Sequence, residues 1–391
     1  MLPIQRSEPI YKLIRQLHNG PSEMARAAAA KQLGDLGDPR AAEALVTWLN
    51  DSYPLLYKHT VQAVKKLGGA ALRQFFPLTT VGVCLQNIVI ALRECGDADA
   101  VELLISIFSH PDLDYAADAA LAIKSIGITT VPALIGALSF PDMQTRRLSA
   151  NLLGEFKSPE SIDALFESLT SADDETAPYL AAAIASMGEL LNDRALIVLS
   201  DKDWRTQLAG LSIFHKTKDE RGLPGILRLF KSDDQKLRGY AAWALSGYGE
   251  KALEFLANAL HDDDPRLRRM AVFALGQIGT REVVPIVGTA CCDPRKTIRH
   301  EAFDVLYKIC DPAAISFIIK ALSSDSSETR AKAAGRLYAF NLRAKVNNPK
   351  EMDWKSVHWL EVESALQPLL EDSSPEVREK AQKAIELIKR A

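Results

Sequence analysis

The chain has 391 residues, of which 47% are apolar and 25% charged, with a formal net charge of −3 at pH 7. That apolar share excludes a disordered chain, and the slight acidic balance argues against a protein built to grip nucleic acid, where excess Lys and Arg supply the affinity. Five cysteines, an odd count with no C-x-x-C pair, fit a reducing compartment and neither a disulfide framework nor a zinc site.

The first residues, Met1 to Glu8, lack the apolar core of a secretory signal. The most membrane-like stretch, Ser125 to Phe140, is interrupted by Pro132 and too short to span a bilayer. A soluble, cytoplasmic product is expected. Alanine-rich stretches recur at Ala25 to Ala30, Ala116 to Ala122 and Ala181 to Ala185, and no alternating β-branched run is bounded by a tight turn. Alanine loses no side-chain entropy in a helix, so the composition predicts an all-α chain.

Residues 1–23 read as an N-terminal cap. From there one pattern returns: a residue at position 0, often Arg, small apolar residues at +3, +4 and +6, and Leu, Ile or Val at +7, followed by Gly or a turn residue. It opens with Arg26 to Leu33, continues through looser copies from Tyr57, Leu85 and Ala116, and returns at Arg146 to Leu153. Looser copies start at Ala177 and Arg205, and the clearest are Arg238 to Leu245, Arg268 to Leu275 and Arg299 to Leu306. Arg330 to Leu337 and Arg378 to Ile385 complete the series. Successive starts lie 28 to 33 residues apart until the last step of 48, which is one repeat plus an insertion over 339–361. Residues 362–391 then form a C-terminal cap.

Each repeat divides into two short helices. First helices are expected at Ala41 to Leu49, Val131 to Leu138, Ser161 to Leu169, Val283 to Val287 and Ala313 to Leu322. Acidic turns follow, at Asp142, Asp173-Asp174, Asp201, Asp233-Asp234, Asp262-Asp263-Asp264, Asp293, Asp325 and Asp372, where a carboxylate can cap the Arg-led second helix. Neither helix buries enough apolar surface alone, so the pairs must stack.

The unit exemplified by Asp263, Pro265, Leu267 and Arg268, then Leu275-Gly276 and Gly279, resembles the HEAT repeat in the short form named after the phycobilisome lyases. The resemblance covers Met24 to Ala391. It implies a right-handed α-solenoid of about twelve helix pairs, one continuous domain over 1–391, with the Arg-led helices lining the concave side. The family includes adaptors, chaperone-like factors, bilin lyases and a few enzymes, so the resemblance is specific for fold and not for function.

No P-loop, G-x-S-x-G or H-E-x-x-H motif is present. Gly247-x-Gly249-x-x-Ala252 matches a dinucleotide fingerprint in letters only, because it follows a helix and reads as a C-cap and linker. His300-Glu301 resembles the His-Glu pairs with which deoxyhypusine hydroxylase, a HEAT-repeat enzyme, holds two irons. The equivalent positions here are Gly239-Tyr240, Arg269-Met270 and Ala331-Lys332, and one His with one Glu cannot hold two irons. No catalytic residue, metal or cofactor is expected. The adjacent Cys291 and Cys292 read as packing at a helix end. The Arg column (Arg26, Arg146, Arg205, Arg238, Arg268, Arg299, Arg330, Arg378) could be an anion ladder, but pairing with the acidic turns of the same or the adjacent repeat is favoured, with Asp233/Arg238, Asp263/Arg268 and Asp325/Arg330 each five residues apart.

If +3, +4, +6 and +7 face the core, +2 and +5 face the concave side. Those columns place Tyr240, Trp243, Met270 and Phe273 in consecutive repeats, with Tyr179, Glu301 and Asp304 elsewhere in them. An aromatic and Met patch in a polar groove is where a protein partner buries a hot spot; a rotated register would make the same side chains core. Trp354, His358 and Trp359 in the insertion are further candidate contacts. The expected function is a non-enzymatic scaffold or adaptor binding a protein in the concave groove. The alternatives are a phycobilisome-type bilin lyase or chromophore chaperone, in which Tyr and Trp stack a tetrapyrrole, and a HEAT-like DNA-lesion binder, against which the acidic pI of about 6.2 counts. No membrane contact is expected.

Overall fold

The computed structural model describes residues 9–49, 53–75, 85–346 and 357–390, and among them there is no strand. Contacts cluster into two units, Met1–Leu190 and Leu191–Ala391, taken here in turn. The first contains α1 (Pro9–Asn19), α2 (Glu23–Leu36), α3 (Ala42–Val46), α4 (Pro54–Leu67), α5 (Leu85–Cys95) and α6 (Ala98–Ile107). It continues with α7 (Leu113–Ile126), α8 (Val131–Ala137), α9 (Met143–Phe156), α10 (Ile162–Thr170) and α11 (Ala177–Ser186). Helices α2, α4, α5, α7, α9 and α11 pack side by side in that order. Each is backed by the first helix of its own repeat: α1, α3, the 3₁₀ segment Gly69–Phe75, α6, α8 and α10.

The second unit contains α12 (Asn192–Val198), α13 (Trp204–Thr217), α14 (Leu223–Phe230), α15 (Gln235–Ser246), α16 (Leu253–Ala259) and α17 (Pro265–Ile278). Then come α18 (Val283–Thr289), α19 (Lys296–Ile309), α20 (Ala314–Lys320), α21 (Ser327–Val346), α22 (Trp359–Leu366) and α23 (Pro375–Lys389). The odd-numbered helices α13 to α23 form the row of second helices and the even-numbered ones back them. Both units are α-solenoid layers of stacked helix pairs, and among the described residues the second helices number twelve, one for each repeat in the sequence. No single helix among the described residues is long and apolar enough to cross a membrane.

Acidic turns cap α9, α15 and α17 as their spacing predicts, while α19 and α23 have Arg295 and Ser374 at the N-cap with no side-chain bond. Asp142 accepts the Thr145 N–H at 2.6 Å, Asp234 those of Lys236 and Leu237 at 2.7 and 3.2 Å, and Asp264 that of Arg266 at 2.8 Å. Each satisfies donors that the first turn leaves open and puts negative charge at the positive end of the helix. The apolar positions are buried as read: Ala241, Ala242, Ala244 and Leu245, and again Ala271, Val272, Ala274 and Leu275, have no exposure.

Three expectations change. The Gly after the +7 residue does not end the helix: Gly34 and Gly154 lie inside α2 and α9. A Cβ on Gly34 would sit 2.5 Å from the Ala63 Cα, so the glycine is where α2 and α4 touch backbone to backbone. The residues expected as a cap, 1–23, contain α1, the first helix of the first pair. The insertion over 339–361 is helical at both ends, since α21 runs for 20 residues to Val346 and α22 begins at Trp359.

Candidate partner-binding surface

The Arg column is structural, in a way its spacing only half predicts. In Arg146, Arg238, Arg268, Arg299, Arg330 and Arg378, one terminal nitrogen, Nη1, donates to the backbone carbonyls six and five residues earlier. The expected Asp233/Arg238, Asp263/Arg268 and Asp325/Arg330 ion pairs are therefore bonds to the carbonyls of those Asp residues, and their carboxylates are not the partners. The carboxylate comes from the turn of the adjacent repeat, the other pairing expected. Arg268 Nε donates to Asp293 at 2.7 Å and Arg330 Nε to Asp372 at 2.6 Å, with both carboxylates only 5–6% exposed. The neighbouring guanidinium holds the Asp372 carboxyl below the usual range. One planar fork thus closes its own turn and clamps the next one.

With the Arg column committed to the scaffold, the side chains left on this face are those at +2 and +5. Met270 and Phe273 project from α17, Phe273 being 39% exposed. With Val272, Val305, Glu301 and Asp304 they line a cavity of about 280 Å³ between α17 and α19. Four predicted residues thus meet at one place. Its floor is apolar and its rim carries Arg269, Gln277 and Lys308. Glu301 accepts from Arg269 at 2.7 Å, and Asp304 from Lys332 at 3.1 Å and from Arg336.

Tyr240 and Trp243, from α15, are half-buried and do not line that cavity. They turn toward α13 instead. The Trp243 ring stacks on His215 with centroids 3.9 Å apart, and His215 Nδ1 lies 3.0 Å from the Trp243 carbonyl in a hydrogen bond. Burial pushes the His215 imidazole below its ordinary value. Tyr240 stacks on Trp204, centroids 6.5 Å apart and rings 6° from parallel, with the Lys236 ammonium 5.1 Å from the indole centroid. The expected single wall of four is two neighbouring clusters. Trp204 and His215 escaped the sequence reading because they sit at −1 and +10 of their repeat, outside the +2 and +5 columns. Tyr179, in the first unit, is 39% exposed with the Arg147 guanidinium 5.3 Å from its ring.

His300 is half-buried and its pKa is lowered, first by burial and then by Lys332. Its neighbour Glu301 is engaged by Arg269, and no three His, Cys, Asp or Glu side chains converge on a metal position among the described residues. Cys291 is buried, which pushes its thiol upward, while Cys292 is exposed. Cys95 is pushed up to about 12, again by burial. Gly247 closes α15, and Gly249 takes a positive φ of 56° after it, as befits a linker. Trp354 lies outside the described residues. His358 lines a cavity of about 470 Å³ with Val357, Phe317 and Arg281, and Trp359 starts α22.

Stacked helix pairs joined by Arg clamps define a helical-repeat protein. The chain belongs to the HEAT-repeat family, whose repeats match residues 10–76, 101–188 and 253–339. No curated protein matches it. Among solved structures, Kap95p, whose binding induces the switch loops of RanGDP to adopt the GTP-bound conformation, is 11% identical with a TM-score of 0.43, over 97% of this chain and 60% of that one. The karyopherin Kap121p bound to the SUMO protease Ulp1p is 13% identical with a TM-score of 0.45, over 98% and 49%. Importin beta is 14% identical with a TM-score of 0.40, over 98% and 56%. The chain thus spans about half the length of these structures.

Proposed function

We propose that the chain is a non-enzymatic interaction scaffold that captures a protein partner on the second-helix face of α17 and α19. One observation carries the reading. Met270 and Phe273 leave apolar surface open in a cavity, although the core positions of α17 are already filled by the buried Leu267, Ala271, Val272, Ala274 and Leu275. An exposed aromatic and a pliable thioether over an apolar floor have the makings of an interface hot spot. The repeat step near ~31 residues supports the short, phycobilisome-lyase-like subtype as part of the same proposal.

The test replaces both side chains, Met270→Ser with Phe273→Ser, in the chain used as bait in its native host. The set of proteins captured by the wild type is expected to drop out, with helical circular dichroism unchanged. Ile197→Ser, at a side chain 73% exposed on a first helix, is the matched control and is expected to keep that set. Equal capture by the double variant would remove the assignment.

A further inference from the structure

We infer that the partner segment seated between α17 and α19 is acidic and apolar, one large apolar side chain flanked by carboxylates. This rests on the reading that the cavity binds a protein, and adds the chemistry of what it binds. The cavity is lined by two cations, Arg269 and Lys308, and two carboxylates, Glu301 and Asp304. Lys332 and Arg336 reach Asp304 from α21, so each lining carboxylate already faces a cation of the chain and Lys308 is left over, although the whole chain carries a net charge of −3.

Both carboxylates are already taken. Glu301 is paired with Arg269, and Asp304 is shared by Lys332 and Arg336, so the charge of each is largely offset within the chain. Lys308 is different. It lines the same cavity as Phe273, is exposed, and has neither an ion pair nor a hydrogen bond among the described residues. Beyond it, the Arg336 and Arg343 guanidinium groups both lie 4.6 Å from the Tyr307 ring. Arg343 donates to the Tyr307 carbonyl at 2.7 Å and has no carboxylate partner among the described residues.

A partner that fills the apolar floor strips water from Lys308. An ammonium desolvated without a counter-charge is costly, and a carboxylate beside the inserted side chain removes that cost. A basic segment would meet the same ammonium with like charge. Specificity then comes from repulsion as much as from attraction.

The test is a selection from a displayed random dodecapeptide library on the intact chain, with the Phe273→Ser chain as counter-selection. Peptides that depend on Phe273 are expected to carry Asp or Glu beside Leu, Ile or Phe. Their binding, read by fluorescence anisotropy, should weaken at high salt and fall about tenfold in Lys308→Glu, as for a reversed charge at an interface. The same peptides with Lys in place of Asp and Glu should bind Lys308→Glu better than the wild type. Neutral or basic Phe273-dependent peptides would overturn the charge class and leave partner capture standing. The absence of any Phe273-dependent peptide would overturn the inference too, while capture by the native-host bait tests the underlying reading separately. An oligothymidylate that competes through Lys308 would overturn it by assigning the cations to nucleic acid.

Discussion

At the scale of single residues, the guanidinium at position 0 links a turn to its successor. Arg330 shows the fullest use: Nη1 closes its own turn on the Ser324 and Asp325 carbonyls, while Nε and Nη2 hold Asp372 of the last repeat at 2.6 and 2.8 Å. Arg378 makes only the first kind of contact, to the carbonyls of Asp372 and Ser373. Arg330→Ala strands a nearly buried carboxylate and two turn carbonyls, so a loss of about 2 to 3 kcal/mol is expected. Arg378→Ala, at the exposed end, should lose under about 1 kcal/mol. The first loss is pH-dependent with a definite sign. Arg330 lowers the Asp372 pKa in the folded chain, so the stabilisation is complete above the ordinary carboxylate value near ~4 and is lost as pH falls through the lower, folded value. Urea midpoints of wild type and Arg330→Ala should therefore converge in acid and separate at neutral pH; a constant gap would deny the pair its role. The Arg column itself was legible, because a charged residue recurs at a fixed place. Which turn supplies the carboxylate, its own or the adjacent one, is left open by the spacing, since Asp293 lies 25 residues from Arg268 and Asp372 lies 42 from Arg330, across the insertion.

For helices, what decides is how closely neighbours approach. Gly34 in α2 is the sharpest case: an added Cβ would lie 2.5 Å from the Ala63 Cα and 2.7 Å from its Cβ, both belonging to α4. Gly239 in α15 is the counter-case, with nothing within 4 Å of an added Cβ. Helix propensity alone favours Gly→Ala by about 1 kcal/mol at either site. At Gly239 that gain stands, and Gly239→Ala should raise the thermal midpoint. At Gly34 the overlap is with backbone, which cannot turn aside, and overpacking of this kind costs about 1 to 3 kcal/mol. Gly34→Ala is therefore expected to lower the midpoint. Two shifts of the same sign would refute the contact argument. The helices were legible in the sequence through the Ala and Leu period and the Asp caps. The glycine was read as a turn because Leu-Gly looks like a helix end; only the packing partner, 29 residues away, distinguishes a stop from a crossing.

Within each unit the limiting fact is that a second helix packs on its neighbours in that unit's row. Stability in such an array is a sum of repeat terms and nearest-neighbour terms, so damage stays near where it is made. The candidate surface reflects the same rule. Met270, Phe273, Glu301 and Asp304, at +2 and +5, lie outside the core, because that depends on one helix's own period. Those columns did not reveal that Trp243 is covered by His215, because that depends on what the preceding helix presents at +10. Locality also yields a measurable consequence. In native-state hydrogen exchange, Gly34→Ala should speed exchange in α2 and α4 and, more weakly, in α1 and α5, which touch them. Amides of α17 and α19, which belong to the other unit, should keep their wild-type rates. Acceleration spread evenly over all helices would mean that the array opens as one cooperative body, and the nearest-neighbour account of how this chain is held together would fail.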